Sequence, residues 1–243
     1  MDRLSYFLER LDQNRFWWFL EAKYLPSIFA DLSDEEWEIM HEWFETYTMG
    51  AGECNVPAMS LLLGLISGNN IDSIVQTGHH LGYSTLLMAW TLRRMGKTHA
   101  LYSVDIDMSS TIATQYWIDK AGLGDIVKLV TSDSAVPQLT KHAVSYFGTT
   151  PSPKLIFIDS SHQYKHTLKE VRIWHEALAP QGLMVFHDVS VYAELWDTTG
   201  RGGVHKAMKF MRLPNTILIN ENVVANERPF VYKDGCGLGI VQK

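Results

Sequence analysis

Two short apolar runs each stop at acid: Lys154-Leu-Ile-Phe-Ile-Asp159 and Leu183-Met-Val-Phe-His187-Asp188. Each has the length and content of a strand, and each ends on side chains able to hold a cation. A helix-like segment over residues 164–179 and the turn Pro180-Gln181-Gly182 separate them. Strand, helix, strand in that order makes two neighbouring parallel strands joined by a right-handed crossover. Adjacent strands lie about 4.8 Å apart. Asp159, His187 and Asp188 are therefore expected to converge at the carboxyl edge of a sheet, where open α/β folds bind ligands.

The elements that would position these residues alternate from Asn70 onward. Residues 71–76, 100–105 and 126–131 read as strands one to three, and the two acid-tipped runs as strands four and five. Helical spacing occupies residues 83–95, 111–121 and 135–146 between them. Strands alternating with helices predict a doubly wound α/β fold with a mostly parallel, seven-stranded sheet covered on both faces. The last strands are expected near Thr216–Asn220 and Cys236–Val241, after a helix from Val204 to Met211.

Residues 1–50 differ from the rest, with Phe16-Trp17-Trp18, Tyr24, Phe29, Trp37, Trp43-Phe44 and Tyr47 set amid acids. Ser33, three residues before Glu36, has the spacing of a capping box. Two or three amphipathic helices are expected here, as a cover or lid or a dimerisation segment over a main domain of residues 51–243. Their aromatics either pack against the core or a twin subunit, or line a substrate pocket. A loop, Ala51-Gly52-Glu53-Cys54-Asn55-Val56-Pro57, leads into a helix at Ala58–Ile66.

With 243 residues and 46% hydrophobic content, the chain can bury one substantial core. A net charge of -6 with no basic run argues against nucleic acid as a partner. No stretch approaches the roughly 20 apolar residues of a membrane span. The two cysteines, Cys54 and Cys236, are too far apart in sequence to form a metal knuckle and read as unpaired thiols of a reducing cytoplasm.

Strand one runs into Gln76-Thr-Gly78-His79-His80-Leu-Gly82-Tyr-Ser84, where a helix begins. Gly78 permits a tight turn and close approach of a ligand, and Gly82 permits close packing at the helix start. The spacing differs from the Gly-x-Gly-x-x-Gly fingerprint of nicotinamide dinucleotide sites, which disfavours hydride transfer. Strand two ends in Asp105, with Asp107 close behind; a carboxylate there can accept hydrogen bonds from both ribose hydroxyls. Ser132, Asp133 and Ser134 follow strand three and offer small polar groups to an adenine edge. His79 and His80 are either an exposed loop pair or placed near a nucleoside-type ligand held by this turn.

The runs Val75–Thr85, Tyr102–Asp107, Phe157–His162 and Val185–Asp188 resemble the class I S-adenosylmethionine-dependent methyltransferases. Among these they are most similar to small O-methyltransferases of the catechol type and a related group acting on sugars and antibiotics. The resemblance covers residues 50–190, with weaker echoes at 202–207 and 237–240. It implies that Gln76, Gly78, Gly82 and Ser84 hold the methionine part of the cofactor. Asp105 would grip its ribose, Ser132, Asp133 and Ser134 its adenine, and Asp159 would border it. Gln76 replaces the acid usual at its position.

The same resemblance implies a divalent cation on Asp159, His187 and Asp188, where the catechol pattern has Asp, Asp and Asn. Two carboxylates suit Mg²⁺, whereas the imidazole favours Mn²⁺, Fe²⁺ or Zn²⁺; alternatively His187 hydrogen-bonds within the sheet edge and no metal binds. His162 falls where that group carries a lysine base, and a histidine titrating near neutrality could take the proton. The expected activity is methyl transfer to a hydroxyl of a small molecule, with His162 and Asp159 as the catalytic pair. The acceptor would be a phenol, sugar or natural product, and the enzyme a cytoplasmic homodimer. Two readings compete: a metal-independent methyltransferase acting on oxygen or nitrogen through His162, and a catalytically silent paralogue.

Overall fold

The computed structural model describes residues 2–10, 14–16, 24–48, 52–148, 152–225 and 234–243. Trp17, Trp18 and Ala51 lie outside the described residues.

After α1 (Arg3–Leu8), α2 (Ser27–Ala30), α3 (Asp34–Thr46) and α4 (Val56–Gly68), strands and helices alternate. They run β1 (Ile74–Thr77), α5 (Tyr83–Arg94), β2 (Leu101–Asp105), α6 (Met108–Lys120), β3 (Val127–Thr131), α7 (Gln138–Tyr146), β4 (Leu155–Ile158), α8 (Tyr164–Ala177) and β5 (Leu183–His187). A 3₁₀ turn (Tyr192–Trp196), α9 (Gly203–Met211), β6 (Thr216–Ile219) and β7 (Leu238–Gln242) complete the chain. The seven strands lie in the order β3-β2-β1-β4-β5-β7-β6. The first five pair in parallel, and β7 runs antiparallel to both β5 and β6. This is the doubly wound architecture expected from the alternation.

The central strands β4 and β5 read as unbroken apolar runs because both faces are covered. Ile74 and Leu155 join one hydrophobic cluster, whereas their neighbours Val75 and Ile156 join the cluster on the opposite face. Strand order reverses between β1 and β4, since β1 has β2 on one side and β4 on the other. Crevices for ligands open at such a switch point.

Local chemistry shifts two helix starts. Asp107 accepts hydrogen bonds from the backbone N–H groups of Ser109 and Ser110, so α6 begins at Met108, before the expected Thr111. Pro137 stands at the cap of α7, which begins at Gln138 and not at Ala135. The expected capping box does form: Ser33 accepts from the Glu36 N–H, and the Glu36 carboxylate accepts from the Ser33 N–H.

The described aromatics of the first helices build a core of their own continuous with that of the sheet. Phe16 meets Phe7 and Phe44 edge-on at centroid distances of 5.1 and 5.4 Å. The Trp43 ring lies 5.3 Å from that of Tyr83 on α5, and its indole N–H donates to the Leu81 carbonyl at 2.8 Å. Buried Glu36 accepts from Arg93 and Arg94 at the far end of α5. Among the described residues no helix is long and apolar enough to cross a membrane.

Trp43 is fully buried. Trp43→Ala is expected to cost about 3–5 kcal/mol through the cavity left behind. It should appear in denaturant titration as a lowered midpoint at nearly unchanged slope.

Candidate active site at the carboxyl edge of the sheet

The turn between β1 and α5 is pressed onto the end of β4. Gly78 has φ +85°, and a Cβ placed there would sit 1.9 Å from the Asp159 carbonyl oxygen. Glycine is therefore required by the approach of β4 as well as by the turn. Gly82, at φ +91°, caps α5 and leaves 3.0 Å between a would-be Cβ and Thr114, which is the close packing expected of it.

Gln76 is wholly engaged beneath this turn. Its amide donates to the Gly78 carbonyl and to Ser84, and its carbonyl accepts from Thr85 and Ser103. All four hydrogen-bonding positions are filled within the protein. The histidine pair splits. His79 is buried, with its ring nitrogens 3.1 Å from Ser103 Oγ and 3.0 Å from Thr111 Oγ1, whereas His80 is exposed. Burial, only partly offset by Asp105, lowers the His79 pKa to about 4 and keeps that ring neutral. Asp105 accepts the His79 and His80 N–H groups on Oδ2 and the Asp107 N–H on Oδ1. A carboxylate has about four acceptor positions, so one remains for a ligand hydroxyl.

A cavity of about 580 Å³ runs along this edge, lined by Gly78, Ser84, Asp105, Asp133, Ser134, Asp159 and His162 among others. Gln76, Gly82 and Ser132 lie behind its wall, and His187 and Asp188 are buried deeper, beyond Asp159 and His162. Two further residues brace the cavity. Fully buried Glu170 on α8 accepts from Ser134 and Ser160, tying the β3 and β4 loops together. His166, one turn earlier, lies 3.2 Å from Glu170 and 2.9 Å from Asp133. The i, i+4 spacing of His166 and Glu170 on a helix was the available signal for this pair. His166 forms part of the cavity wall.

At the strand ends the expected trio comes together. His187 Nδ1 lies 3.2 Å from Asp188 and 3.5 Å from Asp159, and His162 Nε2 lies 3.0 Å from Asp188 and 3.9 Å from Asp159. Burial alone would lower the pKa of His162, but hydrogen bonding to Asp159 and Asp188 raises it to about 10. The near-neutral titration expected of His162 therefore does not hold between these acids. Burial likewise opposes charge on His187, yet Asp188 and Asp159 hold it well above its ordinary value. Both carboxyls stay ionised, their pKa values lowered despite burial by the two imidazoles.

Residues remote in sequence complete this edge. Fully buried Asp234 accepts from Asn55 and from the Cys236 N–H on Oδ1, while its Oδ2 has no hydrogen-bond partner. That oxygen faces His187 Nε2, also unpartnered, at 3.9 Å. Cys54 and Cys236, both free, fall within ligand-atom reach of His187. Above His162 the 3₁₀ turn contributes Trp196, whose ring is 5.9 Å from the imidazole and 5.4 Å from Tyr192. Asp197 fixes that segment by accepting the N–H groups of Thr199 and Gly203. No local motif announced Cys54, Asp234 or Trp196.

The donor set fits a divalent cation: two ionised carboxylates and an imidazole, with positive charge demanded between the acids. The turn also fits a nucleoside-type cofactor. It pairs a glycine that keeps the backbone open with an oriented Asp105, beside a helix start that has no side-chain cap.

Residues 75–189 match the family model described as a methyltransferase domain. No curated protein matches the chain by sequence. Among solved structures, the O-methyltransferase from Bacillus cereus, in complex with SAH, superposes with a TM-score of 0.60 at 16% identity, covering 87% of this chain and 92% of that one. The SAH-bound methyltransferase PaMTH1 of Podospora anserina gives 0.62 at 16% identity, covering 87% and 89%. The O-methyltransferase TomG of Streptomyces achromogenes, involved in tomaymycin synthesis and bound to SAM, gives 0.64 at 14% identity, covering 99% and 98%. The fold is the Rossmann-like methyltransferase fold, as the sequence motifs implied.

The His166 pair generates a pH prediction. Burial would lower its pKa, but Glu170 and Asp133 raise it to about 9, against roughly 6.5 in the unfolded chain. Its contribution to stability is then complete below about pH 6.5 and disappears as the pH rises through about 9. Denaturation of the wild type is expected to show this loss, and His166→Gln to show a flatter profile over the same window.

Proposed function

We propose that this chain, with its methyltransferase domain at residues 75–189, moves a methyl group from S-adenosylmethionine to a hydroxyl of a small molecule, with a divalent cation at the strand ends. One observation carries the reading. A single cavity has a nucleoside-holding wall of Gly78, Asp105, Asp133 and Ser134, and an acidic, imidazole-bearing wall of Asp159 and His162. Cofactor and proton-handling groups thus share one room.

Bound there, the sulfonium cofactor supplies an activated methyl, and a divalent cation lowers the pKa of a hydroxyl beside it. The chain's own residues do the rest. Gly78 keeps the turn flat against the cofactor, Asp105 orients the ribose, and Gln76, saturated by its neighbours, holds the turn's shape. Asp159, His187 and Asp188 are the ligands proposed for the cation. His162, held in its protonated form by Asp159 and Asp188, places positive charge where an oxyanion develops, and takes a proton only after giving up its own. Tyr192 and Trp196 offer aromatic faces for a flat phenol or a sugar ring. The imidazolium of His162 already neutralises Asp188 at 3.0 Å, and this one observation favours a metal-independent enzyme as the second reading.

Calorimetry with S-adenosylhomocysteine tests the cofactor. Binding should be measurable, and Asp105→Ala should weaken it by about 1.5–3 kcal/mol, roughly 10- to 150-fold; a wild type that gives neither heat nor thermal shift would refute the reading. Chelation and Asp188→Ala test the cation. Both should abolish methyl transfer, and activity indifferent to both would leave the metal-independent enzyme.

A further inference from the structure

We infer that the cation site is a thiolate site: Cys54 Sγ is a ligand alongside Asp159 and His187, so that the protein selects Zn²⁺, Co²⁺ or Fe²⁺ over Mg²⁺. The inference rests on the proposed cation and concerns residues of this chain alone.

Geometry supplies the first argument. Cys54 lies just before α4, more than a hundred residues from either acid-tipped strand, yet its sulfur and the ligand atoms of Asp159 and His187 all lie within 4.8 Å of one another. The thiol is 4% exposed and borders the same cavity as Asp159 and His162. Cys54 belongs to the hydrophobic core and is also set among charged groups. Asp159, His187 and Asp234 are its charged neighbours.

His187 also carries an unpartnered nitrogen on its far side. His187 Nε2 is buried and has no hydrogen-bond partner, and Asp234 Oδ2 opposite it has none either. Orphaned buried polar atoms of this kind are costly and call for an explanation, an ion among them. The 3.9 Å between them is too long for a hydrogen bond. Nδ1 is the nitrogen turned to Asp159 and Asp188, so Nε2 and Asp234 stand behind the imidazole, where a carboxylate orients a histidine that ligates through its other nitrogen.

Donor chemistry supplies the second argument. Magnesium takes an octahedral shell of oxygens, whereas sulfur, imidazole and carboxylate together are a zinc-, cobalt- or iron-type set. The thiol is deprotonated on coordination, and its proton passes to solvent. Cys236 approaches His187 from the side of Asp188 and does not share the triad with Asp159. It groups instead with His187 and Asp188 and does not line the cavity, so the bond is assigned to Cys54 and Cys236→Ser tests that choice.

The test is Co²⁺ titration of the metal-free full-length protein, followed by absorption and by equilibrium dialysis. A sulfur-to-cobalt charge-transfer band should appear in the near ultraviolet and survive excess Mg²⁺. Cys54→Ser should lose the band and bind Co²⁺ at least about tenfold more weakly, while Cys236→Ser keeps both. If Cys54→Ser does not fold, alkylation of wild-type Cys54, followed by mass spectrometry, replaces it: Co²⁺ should protect the thiol and Mg²⁺ should not. Co²⁺ binding without the band would overturn the inference and leave the cation reading intact. Loss of the band in Cys236→Ser instead would overturn the choice of ligand. Absence of any Co²⁺ binding would remove inference and cation together, while cofactor binding is measured separately by calorimetry.

Discussion

The approach of the Gly78 backbone to the Asp159 carbonyl is the constraint on which the carboxyl edge depends. A Cβ at 78 would stand 1.9 Å from that oxygen, so a glycine lets the β1 turn and the end of β4 lie side by side. The contact falls at the reversal of strand order, where open α/β folds bind ligands. It brings two acids into one cavity: Asp105 at the end of β2 and Asp159 at the end of β4. Gln76 and His79 then lock the turn from below, each using its polar atoms on neighbouring side chains. Their engagement makes the turn a preorganised surface.

Electrostatics governs the other half of the edge. Half-buried Asp159 and buried Asp188 lie beside each other and remain ionised because His162 and His187 are drawn to the charged form next to them. Buried like charges are tolerated only where positive charge is supplied, by imidazolium or by a metal ion. The same cluster can therefore exist in two charge-balanced forms, and the proposed cation and the protonated histidines compete for the same acids.

Around this centre the structure spends buried polar groups on holding loops. Glu170 ties the β3 and β4 loops through Ser134 and Ser160, and Asp197 fixes the segment that carries Trp196 over His162. The first helices contribute from outside: Trp43 packs on Tyr83 and binds the Leu81 carbonyl, which anchors the aromatic cover directly to the glycine turn.

Much of this was legible in the sequence, because it follows from local periodicity. The alternation of strand-like and helical segments made the five parallel strands readable, and the two apolar runs that end in acid made the convergence of Asp159, His187 and Asp188 readable. The turn Gly78–Gly82 and Asp105 were readable for the same reason, each being tied to the end of a strand. What local pattern could not carry was contact across the chain. The start of α6 at Met108 hung on the Asp107 side chain choosing the backbone as its partner. The neutrality of His79 and the charge on His162 were set by burial and by neighbours from other strands. Cys54 and Asp234, which stand 180 positions apart, reach His187 only because α4 and the approach to β7 fold onto the same edge. Sequence by itself determined the layers and the strand-end residues, since alternation and apolar length are properties of adjacent residues. Tertiary structure alone decided which of those residues are charged and which distant side chains join them, since pKa and coordination depend on distances that only packing sets.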